Sequence, residues 1–478
     1  MAPALHFDGR FVALAVALLA SAFFVPQLFR VAMIALAIAA LVLAPLPAGT
    51  RGVVFSVMIG LATGIASVNL FAVQLFQGPV TKEFGWTQTQ YSLVTLIGTI
   101  VTVVSSVYIG KLFDRQGVRR WALICIPLFA VSLISLYWLT PHPWHFYLVF
   151  GLMPIIGAGT SSVAYSRVPA RWFDQRRGQA FGAALAGIGI GGAVLGPITQ
   201  YLIGGYGWRT AYVGLGLLSL LVTLPLIFWK LRDSPADVGL GFDGRPLGAV
   251  GQRAGAGLAG AEIAGAEPAV AEPAVAATPL PIGVTAQEAR AQPRFWAMLA
   301  AFLLLAFGIG GVMIPLVPIL RARGITPEQA TTVLGALGLA LILGRAFAGF
   351  LMDRMFAPYV AAAILVFPII GVTLLALGAT GSGAVVAAVC LGLAAGAELD
   401  VIAVLITRYF GTFAYAENYG WQYAAWTLGS GTAPILTNQV YDRLGTHTPA
   451  LWIYLAFFAI SALMILRLGP YPVLKRSP

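Results

Sequence analysis

Charged residues are scarce in this sequence. Asp, Glu, Lys and Arg together make up 9% of its 478 residues, while 59% are hydrophobic. A soluble domain carries about 25% charged residues, because its surface has to be hydrated. The composition therefore excludes a soluble globular domain and indicates a chain that lies in a lipid bilayer. Its hydrophobic stretches run roughly 17–25 residues, which is helix length and too long for barrel strands, so an all-α membrane protein is predicted.

Cysteine and histidine are also rare, with two and four residues respectively. Cys125 and Cys390 both lie within hydrophobic stretches, which excludes a disulfide framework and argues against a metal site. His142 and His145 flank Trp144 in a short loop, where the simpler interpretation is two interfacial residues. The sequence has no recognisable nucleophile–base set, metal-ligand cluster or phosphate loop, so neither an enzyme nor a cofactor is expected.

The formal net charge of +11 could indicate binding to nucleic acid, but the positions of the basic residues argue otherwise. They gather in short segments between hydrophobic stretches, as the positive-inside rule expects, and no basic tail with interleaved aromatics is present. We therefore predict that these segments are cytoplasmic and that nucleic acid is not a partner. The three groups are Lys111, Arg115, Arg119 and Arg120, then Arg171, Arg176 and Arg177, and then Lys230, Arg232, Arg245 and Arg253.

The hydrophobic stretches predict two bundles of six helices. Residues 51–230 form the first bundle and residues 293–470 the second, with a cytoplasmic tail at 471–478. Between them, residues 231–292 are rich in Ala, Gly and Pro and repeat AEPAV, which is typical of a linker. A short surface helix is expected at 284–291. The predicted spans lie near 53–77, 91–110, 121–140, 146–168, 178–203, 210–230, 295–320, 330–352, 359–379, 384–407, 418–440 and 449–468.

Residues 1–50 add further hydrophobic sequence. The stretch from 11 to 47 is too long for one span and suits two short ones, broken near Pro26 to Arg30. A single extra span would place the N-terminus outside, whereas a hairpin keeps it in the cytoplasm with Arg10 and Arg51. We expect the hairpin. A cleaved signal peptide fits poorly, because no short hydrophobic region with a cleavage site stands out.

The two bundles carry an internal repeat. GKLFDR at 110–115 corresponds to GFLMDR at 349–354, an offset of 239 residues. Pro79, Gly85 and Gly157 have counterparts at the same offset, and Gly207 has one at 238. Several matches at one offset, each at the same place in its bundle, indicate a duplicated unit joined by a linker.

The segment GKLFDRQGVRR resembles the signature of the major facilitator superfamily, G-x-x-x-D-R-x-G-x-R-R. Four further segments resemble the bacterial monocarboxylate and oxalate/formate branch: EFGWTQTQYS, RWFDQRRGQAFG, DSPADVGL and GAELDVIAVLITRYFG. QPRFW before span 7 also fits. The resemblance implies gating roles for the signature and its second copy, namely Gly110, Asp114, Arg115, Gly117, Arg119, Arg120, Gly349, Asp353 and Arg354.

This resemblance implies a fold, a function and a location. We expect the major facilitator fold in a monomeric, multi-pass protein of the bacterial inner membrane, with both termini cytoplasmic. It would move a small organic anion, a monocarboxylate with an aromatic body as one option, by alternating access and proton-coupled uptake. Efflux of drugs or toxic acids is the alternative, and a membrane sensor is a third class. The sequence does not decide between uptake and efflux, since fold does not fix function.

The signature also has a physical interpretation. Asp114 is an acid at a helix end beside four cations, where it can pair with a basic residue or cap a neighbouring helix. Contacts of that kind can latch one bundle to the other and release as the bundles rock. The alternative is that the cations only orient the protein in the membrane.

Ionisable residues inside the spans are costly in lipid and are therefore candidates for function. Arg345 lies in predicted span 8, and Glu398 and Asp400 lie in span 10. Residues two apart on a helix point in nearly opposite directions, so only one of these acids can face a central cavity. The resemblance implies that Arg345 recognises the substrate carboxylate, and the alternative is a structural ion pair with one of the acids. A coupled proton would have to bind Glu398 or Asp400.

Two sequence differences from the relatives narrow the range of expected substrates. Leu341 stands where mammalian monocarboxylate carriers have an acid, and residues 418–440 lack the lysine of oxalate carriers, so a dicarboxylate is less expected. Arg167 and Arg408 at the cytoplasmic helix ends are expected to snorkel. For Trp421 and Tyr423, interfacial anchoring stays an open alternative. Further candidates for the cavity wall are Asn69, Gln74, Tyr165, Trp421, Gln422 and Trp426.

Overall fold

A computed structural model describes Leu14 and residues 27–246 and 282–473. Among these residues the regular structure is helical, and β pairing is limited to two isolated bridges. The two predicted bundles of six spans are present. Spans 1 to 6 are Ala48–Phe84, Gln88–Gln116, Val118–Trp138, 144–172, 177–206 and 208–230, and spans 7 to 12 are 293–321, Pro327–Met352, Ala357–Ala376, Ser382–Tyr409, Tyr415–Leu444 and Thr448–Leu466.

Nine stretches of the described residues are long and hydrophobic enough to cross a membrane. One of them, Arg177–Lys230, contains both span 5 and span 6. The break between the two is Gly207, whose φ of 82° and ψ of 161° are rarely adopted by residues with a side chain. Span 4 is interrupted between Ile156 and Ser162, where the helix gives way to a turn.

The internal repeat has a structural counterpart. Gly85 ends span 1 with a φ of 68°, and its partner Gly324 follows span 7 with a φ of 76°. Both therefore occupy the left-handed conformation that glycine adopts without strain at the end of a helix. The offset of 239 residues read from the sequence thus relates equivalent turns of the two bundles.

Small residues let the helices within each bundle approach closely. A Cβ on Gly187 of span 5 would overlap the backbone of Met58 in span 1. In the second bundle, a Cβ on Gly396 of span 10 would overlap the carbonyl oxygen of Leu341 in span 8. Close backbone contact at glycine is a main source of helix association in membranes, where apolar surface alone provides little drive.

An additional helix, Gln27–Leu43, precedes span 1 and packs against the helix Arg177–Leu218, which contains span 5 and the start of span 6. It buries a row of small side chains that includes Ala37 and Ala40. Beyond its end, the carbonyl oxygen of Pro45 accepts a hydrogen bond of 2.6 Å from Arg176 Nη1. This helix corresponds to the second half of the predicted hairpin. The first half lies outside the described residues, apart from Leu14.

Each described end of the predicted linker is bound to one bundle. After span 6, Asp233 accepts hydrogen bonds from the backbone N–H groups of Val118 at 2.6 Å and Arg119 at 3.3 Å, which caps span 3. Before span 7, the backbone N–H of Val284 donates to the carbonyl of Phe410 at 3.0 Å. The predicted surface helix is present at Ala286–Arg290, and residues 247–281 lie outside the described residues.

Candidate functional site

Asp114, at the linker-side end of span 2, contacts both bundles. Its Oδ1 accepts a hydrogen bond from Arg167 Nε at 3.0 Å, and its backbone carbonyl accepts one from Arg167 Nη2 at 3.0 Å. Its Oδ2 accepts a bond of 2.9 Å from the backbone N–H of Glu417, in the first turn of span 11. A carboxylate at this place satisfies an N–H that the helix leaves unpaired and interacts favourably with the helix dipole. One side chain thereby joins the two bundles.

Asp353, the repeat partner of Asp114, makes the equivalent contact in the opposite direction, from the second bundle to the first. It follows span 8, and its carboxylate accepts hydrogen bonds from the backbone N–H groups of Gly178 at 2.6 Å and Gln179 at 2.9 Å. These two residues lie in the first turn of span 5. Two acids related by the repeat therefore cap two helices across the interface, and we call this pair of contacts the double latch.

Spans 5 and 8 meet on the linker side and separate toward the other side. A Cβ on Gly182 would lie 2.9 Å from the carbonyl oxygen of Arg345, and one on Gly189 would lie 3.5 Å from Ile342. Seven residues further along the same face, a Cβ on Gly196 would meet no atom within 4 Å. The corresponding glycines of span 8, Gly335 and Gly338, likewise meet none. Between spans 5 and 8 the interface is therefore closed near the double latch and open at the opposite end.

Arg345 lies at this interface and faces Asp400. Their relative exposures are 6% and 0%, and Arg345 Nη1 lies 3.7 Å from Asp400 Oδ1. Neither of these two atoms, nor Asp400 Oδ2, has a hydrogen-bond partner among the described residues. Asp400 Oδ2 would lie 3.9 Å from a Cβ on Gly182, so the acid also faces the first bundle. The pair is buried and loosely engaged, which leaves donor groups free for a ligand.

Glu398 points elsewhere, as its spacing from Asp400 predicts. It lines a small apolar cavity inside the second bundle, together with Phe302 and Leu305 of span 7 and Ala361 of span 9. The structure thus separates the two acids that the sequence could not assign. Asp400 faces Arg345 and the first bundle, and Glu398 faces the interior of its own bundle.

The other predicted wall residues are dispersed. Tyr165 is fully buried in the first bundle, where a Cβ on Gly60 would overlap its ring. Asn69 and Gln74 of span 1 are exposed. None of these three makes a described contact with Arg345, so their part in a binding site stays a prediction.

The predicted residues of span 11 lie on different faces of that helix. Gln422 Nε2 donates to the carbonyl of Phe295 in span 7 at 3.3 Å. Trp421 lies near the linker helix, with its ring 5.8 Å from the Arg290 guanidinium carbon. Trp426 stacks on Tyr423, with ring centroids 5.6 Å apart. Trp421 is therefore closer to the linker-side surface than to the Arg345–Asp400 pair.

A column of aromatic rings on span 11 was missed in the sequence. Tyr415 stacks on Tyr419 with centroids 5.7 Å apart, and Tyr419 stacks on Tyr423 at 6.1 Å. Tyr419 also lies close enough to Asp400 and Arg345 to interact with both electrostatically. The signal was available, because the three tyrosines recur at every fourth position and so share one helix face.

The snorkelling interpretation is wrong for Arg167. Its side chain is 2% exposed and, besides holding Asp114, lies with Nη1 3.8 Å from Asp233 Oδ1. A buried guanidinium paired with two acids is part of the latch and does not reach toward the membrane surface. Arg408 is partly buried and lies in electrostatic range of Asp353.

The double latch should respond to pH through Asp353. Burial raises the pKa of this carboxyl to about 6, against the lowering effects of the Gln179 and Gly178 N–H groups and Arg408, while Asp243 raises it slightly. If the unlatched state hydrates Asp353, its pKa returns toward 3.8. The latched state then binds the proton more tightly, so acidification through this window favours the latched state.

This pH dependence can be measured with spin labels on two exposed linker-side residues, Val238 in the linker segment bound to the first bundle and Arg467 after span 12 of the second. Lowering the pH through about 6 should increase the short-distance population in the wild-type background. Asp353→Asn should abolish that increase, whereas Asp442→Asn, an exposed acid far from the latch, should preserve it. A pH response that persists in Asp353→Asn would contradict the assignment.

Comparison with known proteins gives one family match and several distant relatives. A family model of the Major Facilitator Superfamily matches residues 57–434. Monocarboxylate transporter 12-B of Danio rerio is 26% identical over 297 residues, which is 60% of this chain and 57% of that protein. Monocarboxylate transporter 12 of Rattus norvegicus is 23% identical over 60% of this chain and 56% of its own length. The chain thus spans little more than half the length of these relatives.

Solved structures share the fold at low sequence identity. The proton:xylose symporter XylE superimposes with a TM-score of 0.65 at 14% identity, over 88% of this chain and 96% of that one. The human organic anion transporter MFSD10 gives a TM-score of 0.62 at 16% identity, over 88% and 100%. FucP in the outward conformation gives 0.60 at 15% identity, over 88% and 98%.

Proposed function

Because this chain belongs to the Major Facilitator Superfamily, we propose that it is a secondary active transporter that moves a small organic anion, of the monocarboxylate class, by alternating access. All members of this superfamily share the membrane-embedded fold, so the fold alone does not identify the substrate. The finer proposal is supported by the names of the distant relatives and by one feature of this chain. That feature is the buried guanidinium of Arg345 at the bundle interface.

The geometry of Arg345 supports a carboxylate as ligand. Guanidinium binds carboxylate through two parallel hydrogen bonds and stays charged when it is buried. Its protein partner, Asp400, is itself a carboxylate and holds the group only at 3.7 Å. A substrate carboxylate can therefore take the place of the Asp400 carboxylate. Tyr419 and the aromatic column beside it would contact the organic body of the substrate, which suits an acid with a planar or aromatic group.

The same pair suggests how a proton could be coupled to uptake. A proton on Asp400 removes the charge that competes for Arg345, so protonation and substrate binding favour each other. Transport of both species in the same direction then follows, because Arg345 left unpaired in the membrane would be costly. Glu398 lines a cavity inside its own bundle and lies in electrostatic range of Arg345, but among the described residues it forms no ion pair with Arg345 within 4.0 Å, so it is the less suited carrier.

The proposal is tested by uptake of labelled acids into proteoliposomes with an imposed pH gradient. Aliphatic and aromatic monocarboxylates should accumulate when the outside is acidic, and dicarboxylates and sugars should not. Asp400→Asn should abolish the stimulation by the gradient while exchange of internal for external substrate continues. Glu398→Gln is the matched control and should keep the stimulation. Absence of uptake for every acid tested would reject the anion proposal.

We further propose a bacterial inner-membrane location with the linker and both chain termini in the cytoplasm. The basic loops at Lys111–Arg120 and Arg171–Arg177 lie on the linker side, and short cytoplasmic loops are enriched in such residues. An epitope tag inserted in the linker should be inaccessible in intact cells and accessible after permeabilisation. Labelling of the tag from outside would overturn the topology and, with it, the direction assigned to the double latch.

A further inference from the structure

A second cavity lies on the linker side of the interface. It has a volume of about 450 Å³, within the range of small-molecule sites. Its walls come from spans 2 and 4 of the first bundle and from the linker helix and the start of span 11 in the second. Six of its lining residues are charged: Lys111, Asp114, Arg115, Arg171, Arg290 and Glu417.

The charges of this cavity are unbalanced. Both acids are already paired, Glu417 with Arg290 at 2.8 Å and Asp114 with Arg167 at 3.0 Å. The other three cations, Lys111, Arg115 and Arg171, form no ion pair within 4.0 Å among the described residues, although Arg171 lies in electrostatic range of three acids, Asp114, Asp233 and Asp237. They converge on one cavity from two different spans.

A solvated basic surface would be the simplest account of these cations, but their arrangement is unfavourable for one. Lys111 and Arg115 are exposed and lie four positions apart on span 2, so two like charges share one helix face and repel each other. Arg171, from span 4, is only partly exposed and adds a third charge to the same space. A bound anion with more than one negative charge would relieve this repulsion.

We propose that this cavity binds a phosphate-bearing anion, which holds the two bundles together on the linker side. A phosphate group offers several oxygen acceptors and up to two negative charges, which suits one ammonium and two guanidinium groups. Because both bundles form the walls, the cavity is complete only while the double latch is engaged. A ligand that binds one conformation better than the other shifts the population toward it. The anion therefore favours the state that is closed on the linker side, without touching Arg345.

The test uses the full-length chain in nanodiscs, with Cys125 and Cys390 replaced by alanine and spin labels at Val238 and Arg467. In phosphatidylcholine nanodiscs, inorganic pyrophosphate should increase the short-distance population in a saturable manner, and sodium chloride at equal ionic strength should not. Lys111→Gln and Arg115→Gln should each weaken the apparent affinity by about tenfold, the loss of one charge-assisted contact. Lys230→Gln, an exposed linker-side cation outside the cavity, is the matched control and should leave the affinity unchanged.

The same measurement separates two sources of phosphate. Nanodiscs that contain phosphatidic acid but no pyrophosphate should show the shift if a lipid headgroup fills the cavity, and should lose it in the double variant of Lys111 and Arg115. A shift with pyrophosphate alone would assign the site to a soluble phosphate. Arg171→Lys should retain more affinity than Arg171→Gln if a cation is required there. The proposal would be overturned if the short-distance population increased neither with pyrophosphate nor with phosphatidic acid, or if the increase persisted in the double variant. This outcome does not depend on whether the chain transports organic acids.

Discussion

Arg345→Ala is expected to abolish uptake of the organic acid in a protein that still folds and inserts. Removal of one partner from a buried ion pair costs about 3–5 kcal/mol, because the other charge is left uncompensated. Here the loss falls on the substrate carboxylate as well as on Asp400, so binding should weaken by at least about a hundredfold. Scintillation proximity binding and initial uptake rates on the same preparation would measure both effects.

Arg345→Lys distinguishes recognition from simple charge. Lysine keeps the positive charge but replaces a planar, two-pronged donor by a point charge on a flexible stem. If the site binds a carboxylate through two parallel hydrogen bonds, this variant should lose roughly tenfold or more in affinity despite its unchanged charge. Arg467→Lys, at an exposed linker-side position, is the matched control and should behave as wild type.

The competing explanation is that Arg345 only neutralises Asp400. The double variant Arg345→Gln with Asp400→Asn removes both charges and leaves no buried ion unpaired. If the arginine is structural, this variant should transport at a rate near that of wild type, and such a rescue would refute carboxylate recognition. Continued loss of uptake, in protein that elutes as a single species from size exclusion, would support it. Glu398 is left intact in this test, because it faces another cavity.

The fold and the importance of Asp114 can both be predicted from the sequence. Span positions follow from uninterrupted hydrophobic stretches, since a bilayer imposes one length on every helix. Asp114 stands out because a lone acid beside four cations at a helix end has few other roles. The repeat then identified Asp353 as its equivalent. The contact partner of each acid cannot be derived from the sequence, because every residue except proline has a backbone N–H.

The residues of the site are harder to predict from the sequence. Which side chains face each other depends on how each helix is rotated about its axis, and close contacts at glycines set that rotation. The sequence predicts a surface position for Arg167, because only the three-dimensional proximity of Asp114, 53 residues away, shows that it is buried. Glu398 and Asp400 were known to diverge, but which one faces Arg345 depends on the rotation of span 10 against span 8. Gly344 and Gly396 fix that rotation, since a Cβ on either would overlap backbone of the facing helix. For Tyr419 the sequence does contain a signal, namely the recurrence of tyrosine at every fourth position from 415 to 423.

Asp114→Asn should open the linker side and slow the transport cycle while leaving substrate binding nearly unchanged. The amide keeps one oxygen but turns an NH2 group toward either Arg167 or the Glu417 N–H, so a donor faces a donor. The loss of a charge-assisted contact together with an unsatisfied buried group is worth about 1–3 kcal/mol, or roughly 5- to 150-fold in the latched population.

The labels at Val238 and Arg467 would report this change as a longer distance, and initial uptake rates should fall by about tenfold or more in proportion. Asp353→Asn should act in the same direction through span 5, since the amide NH2 cannot accept from the Gly178 or Gln179 N–H, whereas both oxygens of a protonated carboxyl still can. If each acid holds its own helix independently, the double variant should show the sum of the two free-energy changes. A larger penalty in either single variant than in the other would assign the dominant latch. Unchanged turnover and an unchanged distance in Asp114→Asn would refute the latch, because no other described residue caps the first turn of span 11 from the first bundle.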